Sequence, residues 1–180
     1  MASKVSITAY AAAYHALQPG MTGQVGRDRV DGWWLQRRRI RADISRTFVL
    51  GKPSAKMNQI FDIVYQAQSA ALAAARPDVA CETVDVAARK VVTDAGYGPG
   101  FKYFTHRVGH GMGLDGHEWP YLVPGNTTPV RANMVFSDEP GIYLPGEFGV
   151  RIEDDMHITA DGAELFTPRS PSLEHPFGSA

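Results

Sequence analysis

Four short strings hold the residues best suited to chemistry: Arg41-Ala42-Asp43-Ile44-Ser45-Arg46-Thr47, Gly109-His110-Gly111-Met112-Gly113-Leu114, Asp138-Glu139-Pro140-Gly141-Ile142-Tyr143 and Val150-Arg151-Ile152-Glu153-Asp154-Asp155. Each places a carboxylate or an imidazole at or beside a stretch that reads as a strand, with glycine or proline nearby. Asp43, Glu139 and Glu153 supply oxygen donors and His110 a single nitrogen. Such a set suits a hard or borderline divalent cation such as Mn²⁺, Co²⁺, Fe²⁺ or Zn²⁺, and fits a thiolate-selected metal poorly. Two ions bridged by shared carboxylates are a sensible arrangement, because each bridging carboxylate offsets charge on both. One such residue alone reads as a hydrogen-bonded or solvated side chain; four in ordered strings do not.

The elements that must position these residues follow from periodicity. Val5, Ile7, Ala11, Tyr14 and Leu17 suggest an amphipathic helix over 3–17, stopped by Pro19-Gly20. Apolar stretches at 30–35 and 40–50 flank Gln36-Arg37-Arg38-Arg39, a polar run that reads as a solvated hairpin tip. Ser54 is placed to cap a helix whose apolar residues Met57, Ile60, Phe61, Val64, Tyr65 and Leu72 recur at helical steps until Pro77. A second helix is expected over 82–95, ending at Gly96. Beyond Gly98 the texture changes to glycine-punctuated loops, with strands expected at 134–137, 150–158 and 164–167. The expected architecture is one α+β domain over 1–180, with helices packed on one face of a curved, mostly antiparallel sheet.

Composition narrows the function classes. The 180 residues carry 18 Lys and Arg against 19 Asp and Glu, a formal charge of −1, which argues against nucleic acid or a polybasic membrane surface as partner. Cys81 stands alone, so no internal disulfide framework exists; the default compartment is the reducing cytoplasm, and Cys81 reads as a buried structural thiol. No apolar run reaches the roughly 18–20 residues that span a bilayer. His15 and His157 read as surface residues, and the tail 170–180, with His175, as a loosely packed extension.

The four strings, with His117-Glu118 and the run Gly149 to Asp155, resemble the pita-bread metallopeptidases, the fold shared by methionine aminopeptidase, aminopeptidase P, prolidase and creatinase. The resemblance covers residues 40–166, and its spacing is similar to that of the compact bacterial Xaa-Pro peptidases. It implies the pita-bread fold and hydrolysis of Xaa-Pro bonds in dipeptides or short peptides, with two divalent cations, Mn²⁺ foremost. It further implies that Asp43 and Glu153 bridge the cations, that His110 and Glu139 bind one of them, and that Glu139 carries the proton. His106 and His117 match histidines that hold substrate, and Arg151 an arginine that organises the site. A homodimer is the family habit.

Two departures from that pattern are visible. The family places an earlier aspartate eleven residues before Asp43, where this chain has Gly32; the nearest carboxylate is Asp31. Asp31 is expected to serve as the fifth ligand, with a bulge near Gln36 to Arg39 absorbing the extra residue. The chain also passes almost directly from the first helix to the strand bearing Asp31, without a segment that the family carries there, and without a separate N-terminal domain. The competing expectation is therefore a catalytically silent pita-bread remnant acting as a binding or interaction module. A third is lyase or creatinase-like chemistry in which the histidines act directly.

Overall fold

The computed structural model describes residues 28–37, 40–49 and 51–178, with the backbone alone for 28–37 and Ile40. The helix expected over 3–17 lies outside the described residues. The first two elements are β1 (Asp28–Arg37) and β2 (Ile40–Val49), an antiparallel pair in continuous register from Asp28↔Val49 to Arg37↔Ile40.

Helix α1 (Ala55–Ala74) starts where the sequence indicates: the Ser54 hydroxyl accepts the Met57 N–H at 3.1 Å, satisfying one of the orphan donors of the first turn. Its inner face buries Ile60, Phe61, Val64, Ala67 and Ala71. Helix α2 (Cys81–Val92) follows and passes into a π-helical turn over Thr93–Tyr97, in which Gly96 takes a left-handed φ of 89°. The helix expected to residue 95 and ending at Gly96 is present, its last turn widened to π over Thr93–Tyr97, and Gly96 takes the left-handed conformation that glycine adopts without a Cβ clash. Cys81 is buried in the core as expected.

Seven short strands complete the fold: β3 (Gly109–Gly111), β4 (Glu118–Leu122), β5 (Val135–Asp138), β6 (Gly141–Leu144), β7 (Phe148–Arg151), β8 (Asp154–Ile158) and β9 (Ala163–Leu165). Five form an antiparallel sheet in the order β4-β3-β5-β8-β9, and β6 and β7 form a separate hairpin. The core under the helices is built from Phe104, Leu122, Phe136, Ile142, Ile152, Met156 and Ile158, all fully buried.

Two expectations need correction. The single strand foreseen over 150–158 is two strands in different sheets, broken at Ile152 and Glu153. There Glu153 leaves both ladders and forms a lone antiparallel bridge with Ser45, while Ile152, Glu153 and Asp154 are all buried. Alternation of polar and apolar residues cannot reveal a break where every residue is inside. The tail is likewise not loose near its start: Leu173 is buried and its carbonyl accepts the Val49 N–H at 3.2 Å. His175 is exposed as expected. Among the described residues no helix is long and apolar enough to cross a membrane.

Candidate metal centre

Asp43 projects from the middle of β2, His110 from the centre of β3, and Glu153 from the break between β7 and β8. Within the described residues, one ligand atom from each of these three lies within 4.8 Å of the other two, and all three residues are buried. Glu139, just past the end of β5, stands at the edge of this triad with its Oε1 3.4 Å from His110 Nε2. Its own amide donates to the Val108 carbonyl at 2.8 Å, which fixes the turn into Pro140-Gly141.

The position of His110 depends on close backbone approach. A Cβ on Gly109 would lie 2.0 Å from the Ser137 carbonyl oxygen, and one on Gly111 2.8 Å from that of Glu118, so neither neighbour of His110 can carry a side chain unless the strands part. The ring is set by a contact between Nδ1 and the Gly111 carbonyl at 3.0 Å. That carbonyl can only accept, so Nδ1 bears the hydrogen and Nε2 presents a lone pair. Nε2 is buried and has no hydrogen-bond partner among the described residues. An unsatisfied imidazole lone pair beside three carboxylates is what a cation would complete, and the donor set fits a divalent metal on chemistry as well as position.

The electrostatics agree. Burial, reinforced by the neighbouring Glu153 charge, pushes Asp43 up to about 7 and Glu139 up to about 8. Burial also raises Glu153 and carries Asp155 to about 8, while it drives the His110 and His106 imidazoles down to about 4. Carboxylates crowded together out of water retain protons until a positive charge replaces them.

A surrounding frame orients the triad. The Ser45 hydroxyl donates to the Glu153 carboxylate, and Arg151 Nη2 donates to the Ser45 oxygen at 3.1 Å. The Asp43 amide donates to Asp155 Oδ2 at 3.1 Å. The Ser137 hydroxyl accepts the His110 amide at 3.0 Å and lies 3.2 Å from Glu139 Oε1. His106 Nε2 meets the Tyr143 hydroxyl at 2.8 Å, and its Nδ1 donates to the Arg107 carbonyl at 2.8 Å. A cavity of about 480 Å³ opens beside Glu139, lined by His106, Arg107, His117, Tyr121, Val123 and Arg151. The His117 ring lies 4.2 Å from that of His110, centroid to centroid.

Of the sequence-derived candidates, the fold therefore brings Asp43, His110, Glu139 and Glu153 into one cluster, with His106, His117 and Arg151 along the adjoining cavity. The side chain of Asp31 lies outside the described residues. Its backbone pairs with Arg46, Gly32 pairs with Ser45 and Trp34 with Asp43, and no bulge interrupts this ladder. The expected bulge is absent from the described register.

Sequence reasoning missed several positioning groups. Asp85 and Arg89 form an ion pair at 2.6 Å along α2; Arg89 donates to the carbonyls of Gly100, Phe104 and His106, and Asp85 accepts the Val108 amide. This pair pins the segment that delivers His106. Its one visible signal is opposite charge four residues apart on a helix, which is common on surfaces and carries no hint of a task.

With this geometry in hand, comparison with known proteins is decisive. The sequence profile of Metallopeptidase family M24 matches residues 33–160. The chain belongs to family M24. An Xaa-Pro dipeptidase of Lactobacillus delbrueckii subsp. lactis is 47% identical over 133 residues, covering 74% of this chain and 35% of that protein. A probable dipeptidase PepE of Mycobacterium tuberculosis is 48% identical over 122 residues, covering 68% and 32%. Among solved structures, prolidase from Pyrococcus furiosus superposes with a TM-score of 0.77 at 39% identity, covering 81% of this chain and 42% of that one. Dipeptidase PepE from Mycobacterium ulcerans gives 0.78 at 43% identity, covering 84% and 40%. The M24 chain described here thus has the pita-bread fold of the prolidases, and it spans about a third of the length of the curated relatives it matches.

Proposed function

We propose that this M24 chain is a metal-dependent exopeptidase that hydrolyses Xaa-Pro bonds of dipeptides or short peptides. The observation that carries the reading is the buried convergence of Asp43, His110 and Glu153 within 4.8 Å, with His110 Nε2 left unsatisfied. Asp43 and Glu153 would be shared between two divalent cations, and His110 and Glu139 would complete one of them; Mn²⁺ is the leading candidate for this oxygen-rich set. When bound, such cations supply Lewis acidity toward a carbonyl oxygen and make water more acidic than in bulk.

The chain's own groups do the rest. Glu139 lies between His110 and the cavity, with Oε1 3.4 Å from His110 Nε2, a place from which its carboxylate could take and pass a proton. His106 stays neutral, with Nδ1 held by the Arg107 carbonyl and Nε2 by the Tyr143 hydroxyl, so it would reach substrate through Nε2 only by exchanging the Tyr143 contact. Arg151 donates to both Tyr143 and Ser45 and fixes the wall between cavity and triad. His117, ringed against His110, faces the same cavity. A proline after the scissile bond offers no N–H, so selection must rest on cavity shape and on a free terminus.

The test is to load the 180-residue chain with Mn²⁺, Co²⁺ or Zn²⁺, measure bound metal, and assay Xaa-Pro dipeptides and short Xaa-Pro-Yaa peptides. Stoichiometric metal and turnover abolished by Glu139→Ala are expected. Metal-free protein without turnover would instead favour a silent binding module.

A further inference from the structure

Three Asp-Gly pairs occur in the chain, at 31–32, 115–116 and 161–162. An aspartate before glycine is prone to cyclise, because no Cβ on the glycine hinders its amide from reaching the preceding side chain. Whether it does so depends on what already holds that amide. Gly32 is held in the β1 ladder opposite Ser45, in extended backbone.

The other two pairs differ only in their hydrogen bonds. In both, the aspartate is exposed and the glycine half-buried. Asp161-Gly162 turns β8 into β9, and Thr159 closes it. The Gly162 amide donates to Thr159 Oγ1 at 3.0 Å, the Thr159 hydroxyl donates to Asp161 Oδ1 at 3.1 Å, and the Thr159 amide donates to the Gly162 carbonyl at 2.9 Å. Nucleophile and electrophile are both occupied. At 115–116, among the described residues, neither the Gly116 amide nor the Asp115 carboxylate has a hydrogen-bond or ion-pair partner.

The loop around Gly116 is fixed by its residue count. Glu118 Oε1 accepts the Leu114 and Asp115 amides at 2.5 and 2.6 Å, while Glu118 itself pairs with Gly111 in the β3–β4 ladder. A Cβ on Gly113 would lie 2.5 Å from Glu118 Oε2, so the carboxylate fills the inside of the turn. The Met112 amide donates to Val135 and the Gly113 carbonyl accepts from Arg41, at 3.0 and 2.9 Å. These ties place His117 with its ring 4.2 Å from that of His110.

We propose that Asp115-Gly116 is a site of spontaneous isomerisation to isoaspartate, and that the change shifts His117 away from His110. The Gly116 nitrogen bonds to Asp115 Cγ and the Cγ–OH bond breaks; the hydroxyl leaves with the amide proton as one water. Water then adds to the Cα-side carbonyl of the five-membered imide. Ring opening leaves the main chain running through Cβ, with a free α-carboxylate. The backbone between Asp115 and His117 is thereby one methylene longer, an excess taken up by displacing His117 or by breaking the Glu118 cap. Asp43, His110 and Glu153 keep their own supports, so the cation ligands stay in place. The proposal stands apart from the peptidase reading.

Peptide mapping of the full chain, with and without Zn²⁺, after prolonged warming in mildly acidic buffer tests this, with isoaspartate located by electron-transfer fragmentation. Isoaspartate at 115 is expected to exceed that at 161 by at least about tenfold, the factor by which two hydrogen bonds deplete the opened conformer. Gly116→Ala, which puts a Cβ beside the attacking amide, and Asp115→Glu, which enlarges the ring, should each suppress it. In the zinc-loaded chain, the nuclear Overhauser contact between the His110 and His117 rings should weaken in proportion to the isoaspartate formed, while bound metal stays constant. Treatment with an isoaspartyl methyltransferase and S-adenosylmethionine should restore that contact. Equal or greater isoaspartate at 161 overturns the proposal, as does an unmodified 115 where the free peptide 112–118 converts under the same conditions. A ring contact untouched by modification overturns the shift of His117. None of these readouts uses turnover, so failure of the peptidase reading leaves them decisive.

Discussion

Ser45 and Glu153 meet across a two-residue antiparallel bridge, each amide donating to the other's carbonyl at 3.3 and 3.0 Å, while the Ser45 hydroxyl donates to the Glu153 carboxylate. Backbone and side chain therefore act together to bring a residue of the first hairpin against the break between β7 and β8. Replacing Ser45 with Ala keeps the bridge and removes the hydroxyl. The expected loss is about 1–2 kcal/mol of stability, read from urea midpoints, and about tenfold or more in metal affinity, read by titration with a competing chelator.

The buried titratable groups give the metal-free chain a defined pH response. Asp43, Glu139 and Asp155 hold protons in the folded state up to about 7, 8 and 8, whereas in the unfolded chain they release them near pH 4. Their contribution is full at low pH and is lost as pH rises through those folded values. His106 and His110, lowered to about 4, act oppositely: the unfolded chain takes up protons below about pH 6.5 and the folded one does not, so their contribution is lost as pH falls from 6.5 to 4. The two effects oppose each other below about pH 6.5, and only the carboxylates act above it. Urea midpoints with chelator present should fall between about pH 6.5 and 8.5, while metal affinity rises over the same interval because cations displace those protons.

A buried ion pair fastens the hairpin to the sheet. Arg46 Nη2 donates to Asp154 Oδ1 at 2.6 Å and to the Pro168 carbonyl at 3.0 Å, and Nη1 donates to the Glu153 carbonyl at 2.6 Å. Both side chains are out of water, at 2% and 0% exposure. Arg46→Met leaves the buried Asp154 carboxylate without its cation, held only by the Gln68 amide and the Thr167 hydroxyl, and is expected to cost about 3–5 kcal/mol, with a large part recovered in the double variant with Asp154→Asn. A thermodynamic cycle over the four proteins measures this.

Asp31 can be tested by counting metal. As the proposed fifth ligand, Asp31 predicts that Asp31→Asn loses one of two metal equivalents, or weakens it about tenfold or more. Elemental analysis after gel filtration measures this, and an unchanged metal content would remove Asp31 from the ligand set.

The cluster was legible through resemblance. Asp43, His110, Glu139 and Glu153 each stand in a string similar to a family motif, in the same order, whereas singly each reads as an ordinary polar residue. Helix α1 was equally plain from its cap and its apolar steps. The frame was not legible: Ser45, Ser137 and Asp155 are ordinary polar residues whose roles exist only once β2, β5 and β8 lie side by side. Strands β3, β4 and β6 were missed because three to five residues show too few alternations to count. The break at Ile152 and Glu153 escaped because burial on every side erases period two.

Asp43 and Glu153 are 110 positions apart, and the bridge at Ser45 is what closes that distance. Ion capture and docking of the hairpin onto the sheet are thus coupled, each favouring the other. A chelator should behave as a local denaturant here, exposing residues 40–49 to proteolytic nicking and rapid amide exchange while the helices stay protected.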